Sequence, residues 1–132
     1  MSLCPGEVFQ IKGFENHARV VVTFPDAKGK VVIFGLTDAK NIEDQVCLFK
    51  KGEHSFFRFE TAVAYRWANV VSATEFKEDS IRKFEPLKAE QLLRVIEMAF
   101  ESEDIEPKYL DLLPPRGSKA VEHVGKVYAP KK

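Results

Sequence analysis

ARVVVTFPDAKGKVVIFGL, residues 18 to 36, is the stretch on which the fold class turns. Its two arms, 18 to 24 and 30 to 36, are built from β-branched and aromatic residues that suit extended chain. Between them PDAKG, residues 25 to 29, supplies a fixed φ at Pro25, a self-bonding Asp26 and a permissive Gly29, which is turn chemistry. The stretch therefore predicts a β-hairpin. Both arms are almost continuously apolar, so each strand is expected to have little solvent-exposed face.

Working outward, GEVFQIKGF (6 to 14) follows a Pro-Gly turn signal and reads as a strand. TDAKNIED (37 to 44) is polar and reads as a loop, QVCLF (45 to 49) as a short strand, and KKGEH (50 to 54) as a turn on Gly52. SFFRF (55 to 59) is extended or irregular. TAVAY and NVVSA (61 to 65 and 69 to 73) read as one strand, or as two separated by a bulge. Five or six short strands with frequent turns suggest a small barrel or sandwich. The period then changes. In EPLKAEQLLRVIEMAFESED (85 to 104), Leu92, Val95, Ile96, Ala99 and Phe100 recur at three and four, opposite Lys88, Glu90, Arg94, Glu97 and Glu101. That is an amphipathic helix. ATEFKEDSIRKF (73 to 84) allows a further helical turn or two. The expected organisation is α+β, mainly β: one domain over residues 1–113, a small barrel closed by the amphipathic helix, with 114–132 as a loose tail.

The 132 residues suit a single domain able to bury a sizeable core. Net charge is zero, unlike the footprint of a general nucleic-acid binder, although a balanced total can hide an uneven surface. Two cysteines, Cys4 and Cys47, make no disulfide framework and no zinc spacing, which fits a reducing cytoplasm. No apolar run is long enough for a membrane span, and no signal peptide is evident. Glycine-rich phosphate loops, G-x-S-x-G, H-E-x-x-H and paired-cysteine metal motifs are all missing, so the common nucleotide- and metal-dependent enzymes lose ground and no metal or cofactor is expected.

The chemistry-bearing residues are scattered at strand ends. ENHARVVV sets His17 and Arg19 where a loop enters a strand. A histidine exchanges protons at cellular pH and an arginine forks onto phosphate, so the pair can serve a phosphodiester; the plainer alternative is two solvated strand-end residues. Thr37, where the third strand runs into its loop, can donate to a phosphate oxygen or bond its own turn. KKGEHSFFRF interleaves Lys50, Lys51, His54 and Arg58 with phenylalanines, the make-up of a single-stranded nucleic-acid groove, although some of those rings must belong to the core. Arg66 lies beside Trp67, the chain's only tryptophan. Alternation sets it on the face opposite Tyr65 and Trp67, leaving it exposed, paired with a carboxylate, or facing a groove.

The order CPGEVFQI, HARVVVTFPDAKGKVVIFGLTD, YRWANVVSA and EPLKAEQLLRVIEMA resembles the PemK/MazF-like group, the small toxin components of toxin–antitoxin pairs and their relatives. The likeness spans roughly residues 4 to 100. It implies an SH3-like β-barrel with a terminal helix, a homodimer, an antitoxin partner and cleavage of single-stranded RNA without a metal, the RNA's own 2′-hydroxyl acting as nucleophile. Under the resemblance, His17 or Arg19 matches the charged entrance to the second strand, Thr37 the phosphate contact and Arg66 the arginine of the late strand; His17, Thr37 and Arg66 are then the expected catalytic residues, with Arg19 and, from the basic-aromatic stretch, Lys51, His54 and Arg58 expected to hold the RNA. A non-catalytic module that binds a protein partner is the competing expectation.

Overall fold

The computed structural model describes residues 3 to 13 and 17 to 129. Six strands, β1 (Val8–Ile11), β2 (Ala18–Val21), β3 (Lys30–Asp38), β4 (Leu48–Phe49), β5 (Thr61–Ser72) and β6 (Ile81–Phe84), form one antiparallel sheet in the order β4-β5-β3-β2-β1-β6. Three helices follow: α1 (Ala89–Met98), α2 (Pro107–Leu110) and α3 (Ser118–Val127). The class is α+β. The sheet is not a closed barrel: β4 and β6 are its two edges.

The hairpin forms where its sequence predicts. Val21 lies opposite Ile33, and the Val22 N–H donates to the Val32 carbonyl. In the turn one carboxylate oxygen of Asp26 accepts from the backbone N–H groups of Lys28 (2.8 Å) and Lys30 (2.9 Å), while Gly29 takes φ +75°. These bonds let the turn close without unmet donors.

β5 is continuous but strongly bulged. Ile33 pairs with Asn69 and Gly35 with Ala64, so Phe34 alone faces Tyr65, Arg66, Trp67 and Ala68. The extra residues swing the Trp67 indole over Gly35. A Cβ at position 35 would stand 2.7 Å from the Trp67 Cε3 atom, so the close approach needs glycine there.

Both faces of the sheet are buried. One carries Val8, Val20 and Phe34, and α1 covers it with Leu92, Val95 and Ile96, none of which is exposed. Each fully buried aliphatic side chain contributes about 1.5–3 kcal/mol. The Tyr65 hydroxyl is fixed within this core by donating to the Val95 carbonyl (2.6 Å), and burial pushes its pKa up. Burial likewise pushes the Cys47 thiol up to about 12, so it behaves as a small apolar group. The other face buries Phe9, Val21, Val31, Ile33, Val71 and Ile81 beneath the segment around Phe76.

Two segments depart from the sequence reading. Residues 73 to 84 hold one helical turn, the 3-10 turn Glu78–Ser80, as the sequence allowed, but then extend into β6, a strand that was not read there. Four residues are too few to reveal a period, and pairing with β1 decides their state. The tail is not loose over its described part, and residues 130–132 lie outside that part. α3 buries Ala120 and Val124, its His123 donates to the Val22 carbonyl (2.9 Å), and the Tyr128 hydroxyl donates to the Leu87 carbonyl. Its apolar face is narrow, and docking on α1 and beside Val22 supplies the stability that its composition does not advertise. Among the described residues no helix is long and apolar enough to cross a membrane.

Candidate functional site

Antiparallel register gathers one end of four strands in the same place. Arg82, Gln10, Ala18 and Leu36 form a row across β6, β1, β2 and β3. In the neighbouring row Val8, Val20 and Phe34 are core beneath α1, while Phe84 is partly buried and borders the groove. An open groove of about 770 Å³ lies along the first row, where Ala18 and Leu36 belong to the core and Arg82 is exposed. The other walls come from His17, from Thr37, Asp38 and Asn41 at the end of β3, and from Ser55, Phe56, Arg58 and Phe59 in the loop before β5.

That loop is held from beneath. Gln91 of α1 donates to the Glu53 carbonyl (2.7 Å), and Arg94 reaches the Glu53 carboxylate (2.7 Å) while lying 4.3 Å from the centre of the Phe49 ring. His54 is buried. Its Nε2–H donates to the Glu85 carbonyl (2.6 Å), and its Nδ1 accepts from the Phe56 N–H (3.1 Å). These partners select the neutral Nε2–H tautomer and leave the ring no free nitrogen. His54, expected to touch RNA, instead fixes the loop that does the lining.

Two of the three residues assigned to catalysis by resemblance meet in the groove, His17 and Thr37. His17 sets its ring edge-on to Trp67, with centroids 5.0 Å apart, and its buried Nδ1 has no hydrogen-bond partner among the described residues. Thr37 is 5 % exposed, and its hydroxyl oxygen is 3.4 Å from the Asn41 side-chain nitrogen, which donates. Asp38 accepts from the Lys40 N–H and pairs with the Lys40 ammonium at 3.5 Å, so the acid of this wall is already engaged. Arg66 does not join them. It is exposed on the β5 bulge with its guanidinium 5.5 Å from the Trp67 ring centre, on the indole that supports His17, and it does not line the groove. Exposure is one of the three positions that the sequence left open for Arg66, and the groove was what the resemblance implied; what the bulge breaks is the alternation that set Tyr65 and Trp67 on one face.

Of the residues expected to hold RNA, Arg58 lines the groove and the others do not. Arg19 faces the opposite side of the sheet, across from Gly35, where burial lowers its pKa; Lys51 is exposed in the turn at Gly52. Arg82, Gln10, Asn41 and Phe84 line the groove and were not singled out from the sequence. The signal for Arg82 was weak: IRKF shows a basic residue two positions before an aromatic, a pattern with meaning only once 81 to 84 is known to be a strand. Neither Arg58 nor Arg82 has a carboxylate partner among the described residues. Likewise, no cluster of three or more His, Cys, Asp or Glu suited to a metal ion occurs among them.

Comparison of the chain with protein-family models, with curated proteins and with solved structures finds no match.

Proposed function

We propose that the groove binds single-stranded RNA and cleaves it by transesterification, and that the chain is a relative of the PemK/MazF-like toxins whose sheet is an opened version of the SH3-like barrel. The observation that carries this reading is the meeting, in one aromatic-lined groove, of His17 and two guanidiniums, the ring nitrogen Nδ1 and both cations having no hydrogen-bond or carboxylate partner, respectively, among the described residues. Guanidiniums track the phosphates and rings stack on unpaired bases, a combination that duplexes cannot use.

In the step, a ring nitrogen of His17 takes the proton of the ribose 2′-hydroxyl. The 2′-oxygen bonds to phosphorus, the bond from phosphorus to the 5′-oxygen breaks, and that oxygen takes a proton from solvent. A cyclic phosphate and a free 5′-hydroxyl result. Thr37 and the groove guanidiniums oppose the charge that grows on the phosphoryl oxygens. Trp67 keeps the imidazole from turning away, which gives the indole and the bulge a purpose at the site. A homodimer and a neutralising antitoxin belong to the same reading, the antitoxin covering the groove.

A second reading, a non-catalytic module for an extended protein segment, draws on Phe59, 53 % exposed at the groove. Incubating the purified protein with single-stranded RNA and resolving the products on a denaturing gel separates the two. Cleavage that falls about 10²–10⁴-fold in His17→Ala supports the nuclease. Intact RNA at every protein concentration, or cutting undiminished by that substitution, overturns it.

A further inference from the structure

Arg82 and Phe84 stand two apart on β6, on the face of the sheet that forms the groove floor. The Arg82 guanidinium lies 5.1 Å from the Phe84 ring centre, and no carboxylate pairs with it among the described residues. Stacking on a ring fixes the plane of a guanidinium without using its N–H donors. The Phe84 ring is itself backed by Phe56, with centroids 4.6 Å apart. From the loop, Arg58 and the exposed Phe59 bring a second guanidinium and a further ring to the lining. A lone anion would need the guanidiniums alone, and an apolar ligand would need the rings alone. Alternating cation and ring matches a chain in which phosphates alternate with planar bases.

We infer that Arg82, held on Phe84, is the principal phosphate-binding residue of the groove, and that Phe59 stacks the base next to that phosphate. The ligand is then a single-stranded oligonucleotide rather than a mononucleotide or a duplex. The inference rests on the RNA reading above and adds to it the residues that grip the strand.

The experiment is fluorescence anisotropy of a short labelled single-stranded RNA over a series of salt concentrations, using His17→Ala protein to prevent cutting. In that background, Arg82→Ala should weaken binding about tenfold and lower the slope of log affinity against log salt by about one phosphate contact. Arg82→Lys should keep the salt slope yet bind less tightly than Arg82, because an ammonium neither stacks nor forks. Phe59→Ala should weaken binding about five- to hundredfold with the slope unchanged. Arg66→Ala should leave both affinity and slope in place. The duplex form of the same RNA should bind more weakly than the single strand. Circular dichroism of each variant establishes that it is folded. If the His17→Ala protein binds the RNA and neither Arg82→Ala nor Phe59→Ala changes the affinity, the clamp is wrong and the RNA groove survives elsewhere on its walls. If neither the wild-type chain nor His17→Ala binds RNA, both readings fall together.

Discussion

Arg94 and Arg82 both lie on phenylalanine rings, at 4.3 Å over Phe49 and 5.1 Å over Phe84, yet their surroundings differ in kind. Arg94, on α1, spends its donors at home: one nitrogen reaches the Glu53 carboxylate and another the Leu48 carbonyl. The Glu53 carboxyl is drawn below its ordinary pKa by the Lys50 N–H and then by Arg94, so this end of the sheet is a closed electrostatic circuit. Arg82, exposed on β6, has a ring beneath it and no carboxylate partner among the described residues. A cation paired with an acid of its own fold holds that fold together, whereas one that is oriented on a ring with its donors left over is arranged for something that arrives from outside.

The comparison can be broken at either end. The largest effect is expected beneath α1, where Leu92→Ala should cost about 2–5 kcal/mol of stability in denaturant unfolding, since nothing can refill that volume. A loss well below that would mean that the closed end is not well packed. Gly35→Ala comes next. Its Cβ would meet the Trp67 ring at 2.7 Å, so overpacking should cost about 1–3 kcal/mol and displace the indole from His17. RNA cleavage should fall with stability in this variant, and unchanged cleavage would separate the indole from the site.

Arg94→Ala should cost about 1 kcal/mol, a value held down by the partial exposure of both partners. Its pH dependence has a definite sign. Because the folded Glu53 pKa is depressed, its contribution is complete above the ordinary carboxylate range and is lost as pH falls through the folded value. Wild type and Glu53→Gln should therefore differ in stability at neutral pH and converge in acid; parallel curves would mean that the ion pair contributes nothing. The smallest effect belongs to Arg82→Ala, whose stability should stay within about 0.5–1 kcal/mol of wild type, the loss of one exposed cation–π contact. A larger loss would make Arg82 a structural residue like Arg94 and erase the distinction.

Much of the fold was legible because its signals are local. Turn residues at 25 to 29 and β-branched arms made the hairpin readable, and the three-four spacing of Leu92, Val95, Ile96 and Ala99 made α1 readable. β6 and α3 were missed because their periodic signal is short or faint and docking fixes their state. At the site, His17, Thr37 and Arg58 could be singled out by side-chain chemistry at element ends. Arg82 could not, because its value comes from standing in register with Gln10, Ala18 and Leu36, residues far from it in the chain.

The sequence by itself determined the hairpin of β2 and β3 and the segment that winds into α1, since turn geometry and hydrophobic period act over a few neighbouring residues. Only the tertiary structure decided which cations are consumed and which stay available. It set Arg94 against Glu53, turned Arg66 outward on a bulge and left Arg82 on a bare ring, because ion pairing and burial depend on distances that chain spacing does not encode.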